Sequence, residues 1–323
     1  MPWPPRSLSL ALQGGGSFGA FTWGVLDRLL DEPAIAFDAI SGASAGAVNA
    51  VVMAAGLIDG GRSEAKARLA RFWRKMSAAA AFLPSVSPSG ALMSAGLGLF
   101  TRSLSPRQFN PFNLNPLRDA LEQDVDFERL RATSPLKLLI GATRVRDGKL
   151  KIFNTGELTV EAVLASACLP QLHHAVELDG EAYWDGGYAS NPPLIPLMLA
   201  SDAAHLLIVQ AMSNTSEQPP TVPSDIAKRL DQINFNATLN AELEALKLLK
   251  LLRATPKLRR LRIGRISAQD EVVGLAAESA SDLDWRFLER LRDSGRLAAE
   301  AWLRDSAPAG WTQRPPGGEA AAA

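Results

Sequence analysis

Apolar positions along this chain fall into short blocks that switch between a period of two and a period near 3.6. Residues 7–12 (SLSLAL) alternate polar and apolar side chains before turning wholly apolar, which predicts a first, buried strand. Residues 18–30 carry Phe21, Val25, Leu26 and Leu29 at helical spacing. Residues 37–41 are β-prone and meet an Ala/Val-rich helical run over 47–56, after which 64–75 reads as a second amphipathic helix. Pro116 suits the first turn of a helix through Gln123. Residues 136–143 and 150–154 predict strands joined by a turn around Arg146-Asp147-Gly148, and 160–167 a short helix. Strands follow over 182–184 and 206–210, then a long helix over 225–253 and a strand over 261–266. The last element, 282–303, places Phe287, Leu288, Leu291 and Trp302 on one side, with Ser281 as its N-cap. Strands alternating with helices predict an α/β sheet covered on both faces, and the chain shows no internal repeat.

Composition narrows the function classes. With 323 residues, 47% of them hydrophobic, the chain can bury one large core, or one core plus a cap. Its 34 basic and 34 acidic side chains cancel, so no global positive field exists to gather nucleic-acid phosphates. A single cysteine, Cys168, leaves no disulfide framework and no Cys-rich metal site. Residues 1–6 lack a charged segment followed by an apolar one, and no apolar run approaches the roughly 20 residues that span a bilayer. The expectation is a soluble, cytoplasmic protein, with peripheral contact to membrane or lipid inclusions allowed. Residues 76–101 contain no charged side chain and are interrupted by Pro84, Pro88, Gly90, Gly96 and Gly98. That segment reads either as a long loop packed on the core or as an apolar lid over a site, extending to about 115. Residues 1–305 are therefore expected to form a single domain with that lid and a helical C-terminal extension over about 225–305. The Pro-, Gly- and Ala-rich residues 306–323 read as a disordered tail.

Three motifs carry chemistry. Gly42-Ala43-Ser44-Ala45-Gly46 lies between a strand and a helix, the context a nucleophile elbow requires. Ser44 must occupy a strained turn for its hydroxyl to leave the sheet, and Gly42 and Gly46 remove Cβ atoms that would clash where strand and helix cross. The following helix aims its N-terminal N–H groups at any oxyanion formed nearby. Gly14-Gly15-Gly16 ends the first strand at a helix start, a row of backbone N–H groups suited to an anion. The Lys-Ser/Thr of a phosphate loop is missing. Gly14, Gly16 and Gly19 meet a dinucleotide spacing, yet no acidic residue ends a strand about 20 residues on, since Asp38 begins the elbow strand instead. The row fits better as an oxyanion hole for Ser44. The third motif is Asp185-Gly186-Gly187, where the chain turns sharply after a strand.

A serine nucleophile needs a group to accept its proton. Of three histidines, His173 and His174 sit in a loop after Pro170, and His205 opens a buried strand. A Ser…Asp…His order would have to use His205. Asp185 is the alternative base, and the order Gly-Gly-Gly, Gly-x-Ser-x-Gly, Asp-Gly-Gly on the strand ends of one sheet favours it.

The chain resembles the patatin-like phospholipase family over about residues 7–210. Gly14-Gly15-Gly16-Ser17-Phe18-Gly19, the Ser44 elbow, Ala165-Ser166-Ala167-Cys168-Leu169-Pro170 and Asp185-Gly186-Gly187 carry the resemblance. It implies a three-layer α/β/α fold with a mostly parallel central sheet, and lipid acyl hydrolysis by a Ser44–Asp185 dyad without histidine. It also implies an oxyanion hole from Gly14, Gly15 and Gly16, supported by Gly42, Gly46, Gly186 and Gly187. Ser166 and Pro170 match a motif read as structural, and no metal or cofactor is implied. Phe18 stands where the family commonly carries a basic residue. If its ring faces the site, a phosphate-bearing substrate loses a partner; if it packs in the core, substrate class must be read elsewhere.

The expected substrate is thus a lipid ester, of phospholipase A, lysophospholipase or esterase type. Two alternatives stand beside it: another hydrophobic ester, such as a storage polyester or neutral glyceride, and a lipid-binding protein that keeps the fold without turnover. Residues 245–269 hold eight cations (Lys247, Lys250, Lys257, Arg253, Arg259, Arg260, Arg262, Arg265) and no acid. They read either as a solvated face or as a surface for docking on anionic lipid.

Overall fold

The strands over residues 7–12, 137–144 and 205–210 are buried on both faces, so they must be covered on both sides. The computed structural model describes residues 4–81, 108, 110, 113–216, 218–252, 255–272, 274–275 and 278–305. Among them, eight strands form one sheet: β1 (Ser7–Leu12), β2 (Ala36–Gly42), β3 (Lys137–Arg144), β4 (Leu150–Asn154), β5 (Val176–Leu178), β6 (Glu181–Asp185), β7 (His205–Gln210) and β8 (Arg262–Ser267). Their order is β5-β6-β3-β2-β1-β7-β8, with β4 pairing on β3. The five strands from β3 to β8 in that order are mutually parallel, whereas β4 and β6 run antiparallel to β3.

The alternation of side chains along the strands divides the core in two. Leu10, Leu12, Leu138, Ile140, Leu207 and Val209 face one buried cluster, and Ala11, Leu139, Leu206 and Ile208 face the other. The first cluster is covered by α1 (Gly19–Leu30), α2 (Ala45–Ala81), α3 (Pro116–Asp124), α4 (Phe127–Thr133), α5 (Val160–Ser166) and, further along the chain, the C-terminal helix Trp285–Asp305. The second is covered by α6 (Leu194–Ala200), α7 (Pro223–Leu251) and α8 (Pro256–Arg260). After β8 come α9 (Ala268–Glu271) and the C-terminal helix, labelled α10. The result is the expected three-layer α/β/α sandwich with a mostly parallel sheet.

Several elements differ from expectation. The two helices read over 47–56 and 64–75 are both present; they meet at a kink of non-helical backbone at Gly60 and Gly61, where Gly61 has φ +68°, and are labelled together α2. α2 also runs through 76–81, because Ser77-Ala-Ala-Ala-Ala favours helix and no breaker occurs before Pro84. The proposed lid therefore does not begin at 76; the rest of that expectation, over 82–107, lies outside the described residues, as does the expected tail over 306–323. The segment 225–305 is no appended extension. It supplies edge strand β8 and covers both faces of the sheet. α10 is capped by Asp284, whose Oδ1 accepts from Arg286 N–H at 2.9 Å and Phe287 N–H at 3.2 Å, while Ser281 Oγ pairs with Ser279 Oγ at 2.8 Å. α10 crosses α1 at two glycines. A Cβ on Gly24 would lie 1.9 Å from the Arg292 carbonyl oxygen, and one on Gly295 2.1 Å from that of Phe21. Only backbone fits at this crossing.

Candidate active site

The sheet register brings the three motifs to one edge. Leu12 stands opposite Gly42 on one side and Val209 on the other, Gly42 stands opposite Ile140, and Asp185 opposite Ala142. The residues just past β1 and β2 and the last residue of β6 therefore share the carboxyl end of the parallel strands, where open α/β sheets form their crevice.

At the elbow, Ser44 has φ +52°, a left-handed conformation that costs a non-glycine residue about 1 kcal/mol or more. Its own N–H holds it there, donating to the Ser166 carbonyl at 3.0 Å and to Ser166 Oγ at 3.1 Å. Ser166, at the end of α5, is thus the clamp of the elbow, and its structural reading acquires a specific role. A Cβ on Gly42 would lie 2.6 Å from the Gly46 carbonyl carbon, and one on Gly46 2.1 Å from the Leu12 carbonyl oxygen. The spacing of the motif is that of a backbone-to-backbone contact.

Asp185 is wholly buried. Its Oδ1 accepts the Gly187 N–H at 2.8 Å, and its Oδ2 completes no hydrogen bond of good geometry. The Ser44 hydroxyl stands close enough to favour the carboxylate without closing a well-aligned bond, a looseness common before substrate arrives. Burial pushes the Asp185 carboxyl up from 3.8 to about 7, against the smaller pull of the Gly187 N–H and Ser44. A carboxylate poised there is a competent proton acceptor near neutral pH. The two glycines after it are obligatory: a Cβ on Gly186 would meet the Gly141 carbonyl oxygen at 2.1 Å, and one on Gly187 the Phe235 ring at 2.3 Å.

The glycine row is not uniform. Gly14 N–H donates to Asn191 Oδ1 at 2.7 Å and is therefore unavailable to an oxyanion, which corrects the expectation for that residue. Among the described residues the N–H groups of Gly15 and Gly16 have no hydrogen-bond partner. Gly16 has φ +58°, and Ala280 crowds it so that a Cβ would lie 2.2 Å from the Ala280 carbonyl oxygen, which also accepts Ser17 N–H at 2.8 Å. Two N–H groups of the row are thus left for an anion, in a loop braced by the chain just before α10.

Helix α7 supports the Asp185 turn from the other side. Phe235 fills the space beside Gly187 and its ring lies 5.1 Å from that of Tyr188. Glu242 Oε1 accepts from Ser190 Oγ at 2.6 Å, and its Oε2 takes the N–H groups of Leu194 and Ile195. Sequence reading missed Asn191, Phe235 and Glu242. The turn signal Asn191-Pro192-Pro193, four residues after Gly187, could have flagged the first of them.

The histidines are placed elsewhere. His205 begins β7 opposite Leu8, four residues before Val209, so it lies about 13 Å down the strand from the motif end of the sheet. His173 and His174 make no hydrogen bond to Ser44 or Asp185, and His173 is pushed toward the neutral form by burial. Phe18 is buried, edge-on to Phe287 at 6.3 Å between ring centres, so the core reading holds and its ring says nothing of head-group preference. Of the described cations of 245–269, Arg262 opens β8 and Lys257, Arg259 and Arg260 immediately precede it, at the end of the sheet away from Ser44, whereas Arg265 lies further along β8, opposite Ile208. Several are internal braces: Lys250 Nζ donates to the Leu261 carbonyl, Lys257 Nζ to that of Leu199, and Arg265 to Gln210 Oε1. Among the described residues no group of three or more His, Cys, Asp or Glu is placed to hold a metal, and no helix is long and apolar enough to cross a membrane.

Comparison with solved structures finds VipD from Legionella pneumophila, at 16% identity and TM-score 0.45, over 93% of this chain and 66% of that one. It also finds the ExoU–SpcU complex of the Pseudomonas aeruginosa type III secretion system, at 20% identity and TM-score 0.32, over 75% of this chain and 52% of that one. The chain thus spans about two thirds of the first and about half of the second. Comparison with curated protein sequences gives no match. A family model, patatin-like phospholipase, matches residues 10–198. That span exceeds half of the chain and contains the glycine row, the Ser44 elbow, the Ser166 clamp and Asp185. The protein belongs to the patatin-like phospholipase family.

Proposed function

We propose that this protein is a serine lipid acyl hydrolase that cleaves carboxylic esters through Ser44 and Asp185. Family membership supports lipid hydrolysis as the general class. The observation that carries the finer reading is a strained Ser44 beside a fully buried Asp185 whose carboxyl is pushed up to about 7.

Ser44 Oγ attacks the ester carbonyl carbon while Asp185 takes the hydroxyl proton. The carbonyl π electrons move onto oxygen, and the N–H groups of Gly15 and Gly16 hold the resulting oxyanion, each such donor being worth about 10²–10³-fold in rate. Collapse expels the alcohol, which leaves with the proton from Asp185, and an acyl-Ser44 ester remains. Water then attacks that ester with Asp185 again as base, releasing the fatty acid and restoring the serine. The carboxylate needs no histidine relay, because burial has already raised its basicity. Contact with a lipid surface is part of the proposal, through the sheet end that carries Ser44. Arg262 and the cations just before it, Lys257, Arg259 and Arg260, are at the other end.

The test is covalent. A fluorophosphonate probe should label wild-type protein at one site and leave Ser44→Ala unlabelled, and fatty acid should be released from phosphatidylcholine or glyceride dispersions by wild type alone. Folded Ser44→Ala protein that still released fatty acid would end this reading. Wild type that bound lipid without labelling would identify a binding protein instead.

A further inference from the structure

We infer that Asn191 is the positioning residue of the oxyanion hole, setting the glycine row and locking it to the turn that carries the base. The inference rests on Ser44 being the nucleophile. It adds a residue that neither the three motifs nor their chemistry names.

Asn191 is wholly buried and directs three polar groups at three partners. Its side-chain oxygen accepts the Gly14 N–H at 2.7 Å, its Nδ2 donates to the Phe235 carbonyl at 3.3 Å, and its backbone N–H donates to Thr238 Oγ1 at 3.2 Å. The amide can adopt only one orientation, since the oxygen must meet an N–H and the NH₂ a carbonyl. Asn191 lies six residues after Asp185 and is hydrogen-bonded to the residue before Gly15, so one side chain spans the base loop and the hole. Helix α7 anchors the other end through Phe235 and Thr238.

The consequence is geometric. Successive peptide N–H groups in a glycine row are free to turn toward or away from a developing charge, because glycine restricts φ least. Fixing the Gly14 N–H onto Asn191 removes one donor and defines the plane from which Gly15 and Gly16 continue. The same side chain shields the Gly14 N–H from competing for the substrate oxygen. A Cβ on Gly14 would lie 2.6 Å from Ser44 Cβ and 3.2 Å from Asn191 Oδ1, so the row, the nucleophile and the asparagine meet at one point. Misplacing donors here is a transition-state defect: it lowers kcat and leaves substrate binding intact.

Two experiments on the full chain test this. In the first, amide exchange is followed in protein labelled with ¹⁵N-glycine, free and after fluorophosphonate reaction. Gly14 should be protected in both states, whereas Gly15 and Gly16 should exchange freely and become protected only in the adduct. Gly14 exchanging as fast as its neighbours, or gaining protection only with the adduct, would overturn the inference. In the second, Asn191→Ala and Asn191→Asp are labelled with the same probe. Asn191→Ala should reach full stoichiometry at a rate lower by about 10²-fold, with KM for a soluble ester little changed. Its acid limb in the pH–rate profile should stay where wild type has it, because Asp185 is untouched. Asn191→Asp keeps the acceptor for Gly14 and should fall between the two. A wild-type rate in Asn191→Ala, or a wild-type rate at reduced stoichiometry, would make Asn191 merely structural. If Asn191→Ala fails to fold, the exchange pattern of wild type decides. Unlabelled wild type would overturn the nucleophile, and the inference with it.

Discussion

Replacing Asp185 by asparagine should stabilise the fold at alkaline pH while it removes activity. The carboxyl ionises at about 3.8 when exposed and at about 7 in its buried place. Below about pH 4 both folded and unfolded chains hold the proton, and the group contributes nothing. Between 4 and 7 the unfolded chain releases its proton while the folded chain keeps it, so stability falls as pH rises. Above 7 the folded chain carries a buried charge, and the accumulated cost approaches about 4 kcal/mol at 1.36 kcal/mol per unit. Asparagine carries no such charge. It retains an oxygen for the Gly187 N–H, and its NH₂ can donate to Ser44 Oγ. The wild type and the variant should therefore unfold at similar temperature near pH 4.5 and diverge by pH 8. At about 2–4 °C per kcal/mol for a domain of somewhat smaller size, the gap should reach several degrees. Thermal or urea unfolding across a pH series measures it, with the difference between the two pH values free of any constant cost of the substitution. A gap that does not change with pH would refute a raised Asp185 and with it the choice of base.

The remaining predictions are brief. The kcat/KM of wild type should fall as pH drops through about 7, as Asp185 takes up its proton; a flat profile down to pH 5 would place the base elsewhere. His205→Gln should keep most activity, and a folded variant that lost several orders of magnitude would restore a triad. Phe18→Arg should unfold the protein, costing at least the about 3–5 kcal/mol of a Phe→Ala cavity; a stable variant with a shifted phospholipid preference would return Phe18 to the site. Gly24→Ala should cost about 1–3 kcal/mol by prising α10 from α1, read as a lowered urea midpoint.

Much of the fold could be read from periodicity, because strands buried on both faces and helices buried on one leave different patterns. Periodicity places β1, β2, β3 and β7 within a residue or two, and the glycines around Ser44 imply its strain. What escaped has physical causes. β5 spans three residues and α6 carries a proline among apolar side chains, so neither offers a period to detect. Ser281 and Asp284 are both good caps in sequence, and only the start of regular backbone at Trp285 chooses between them. The sequence leaves Phe18 open because its partner Phe287 lies 269 residues away, on a helix whose placement no local pattern encodes. The site shows the same division. The residues proposed as nucleophile, base and hole lie in motifs that need special backbone and announce themselves through glycine. Asn191 and α7 act through ordinary polar and apolar contacts, which leave no signature until the chain is folded.

The bracing of Gly16 and Ser17 by Ala280 has a bearing on how the protein is made. Synthesis delivers Ser44 first and Asp185 later, and both are present long before residue 280 leaves the ribosome. Until then α1 has no α10 to cover it, and the glycine loop has no carbonyl to receive the Ser17 N–H. In a nascent chain Ser44 and Asp185 thus precede the segment that braces the glycine loop, since vectorial folding cannot use contacts not yet synthesised.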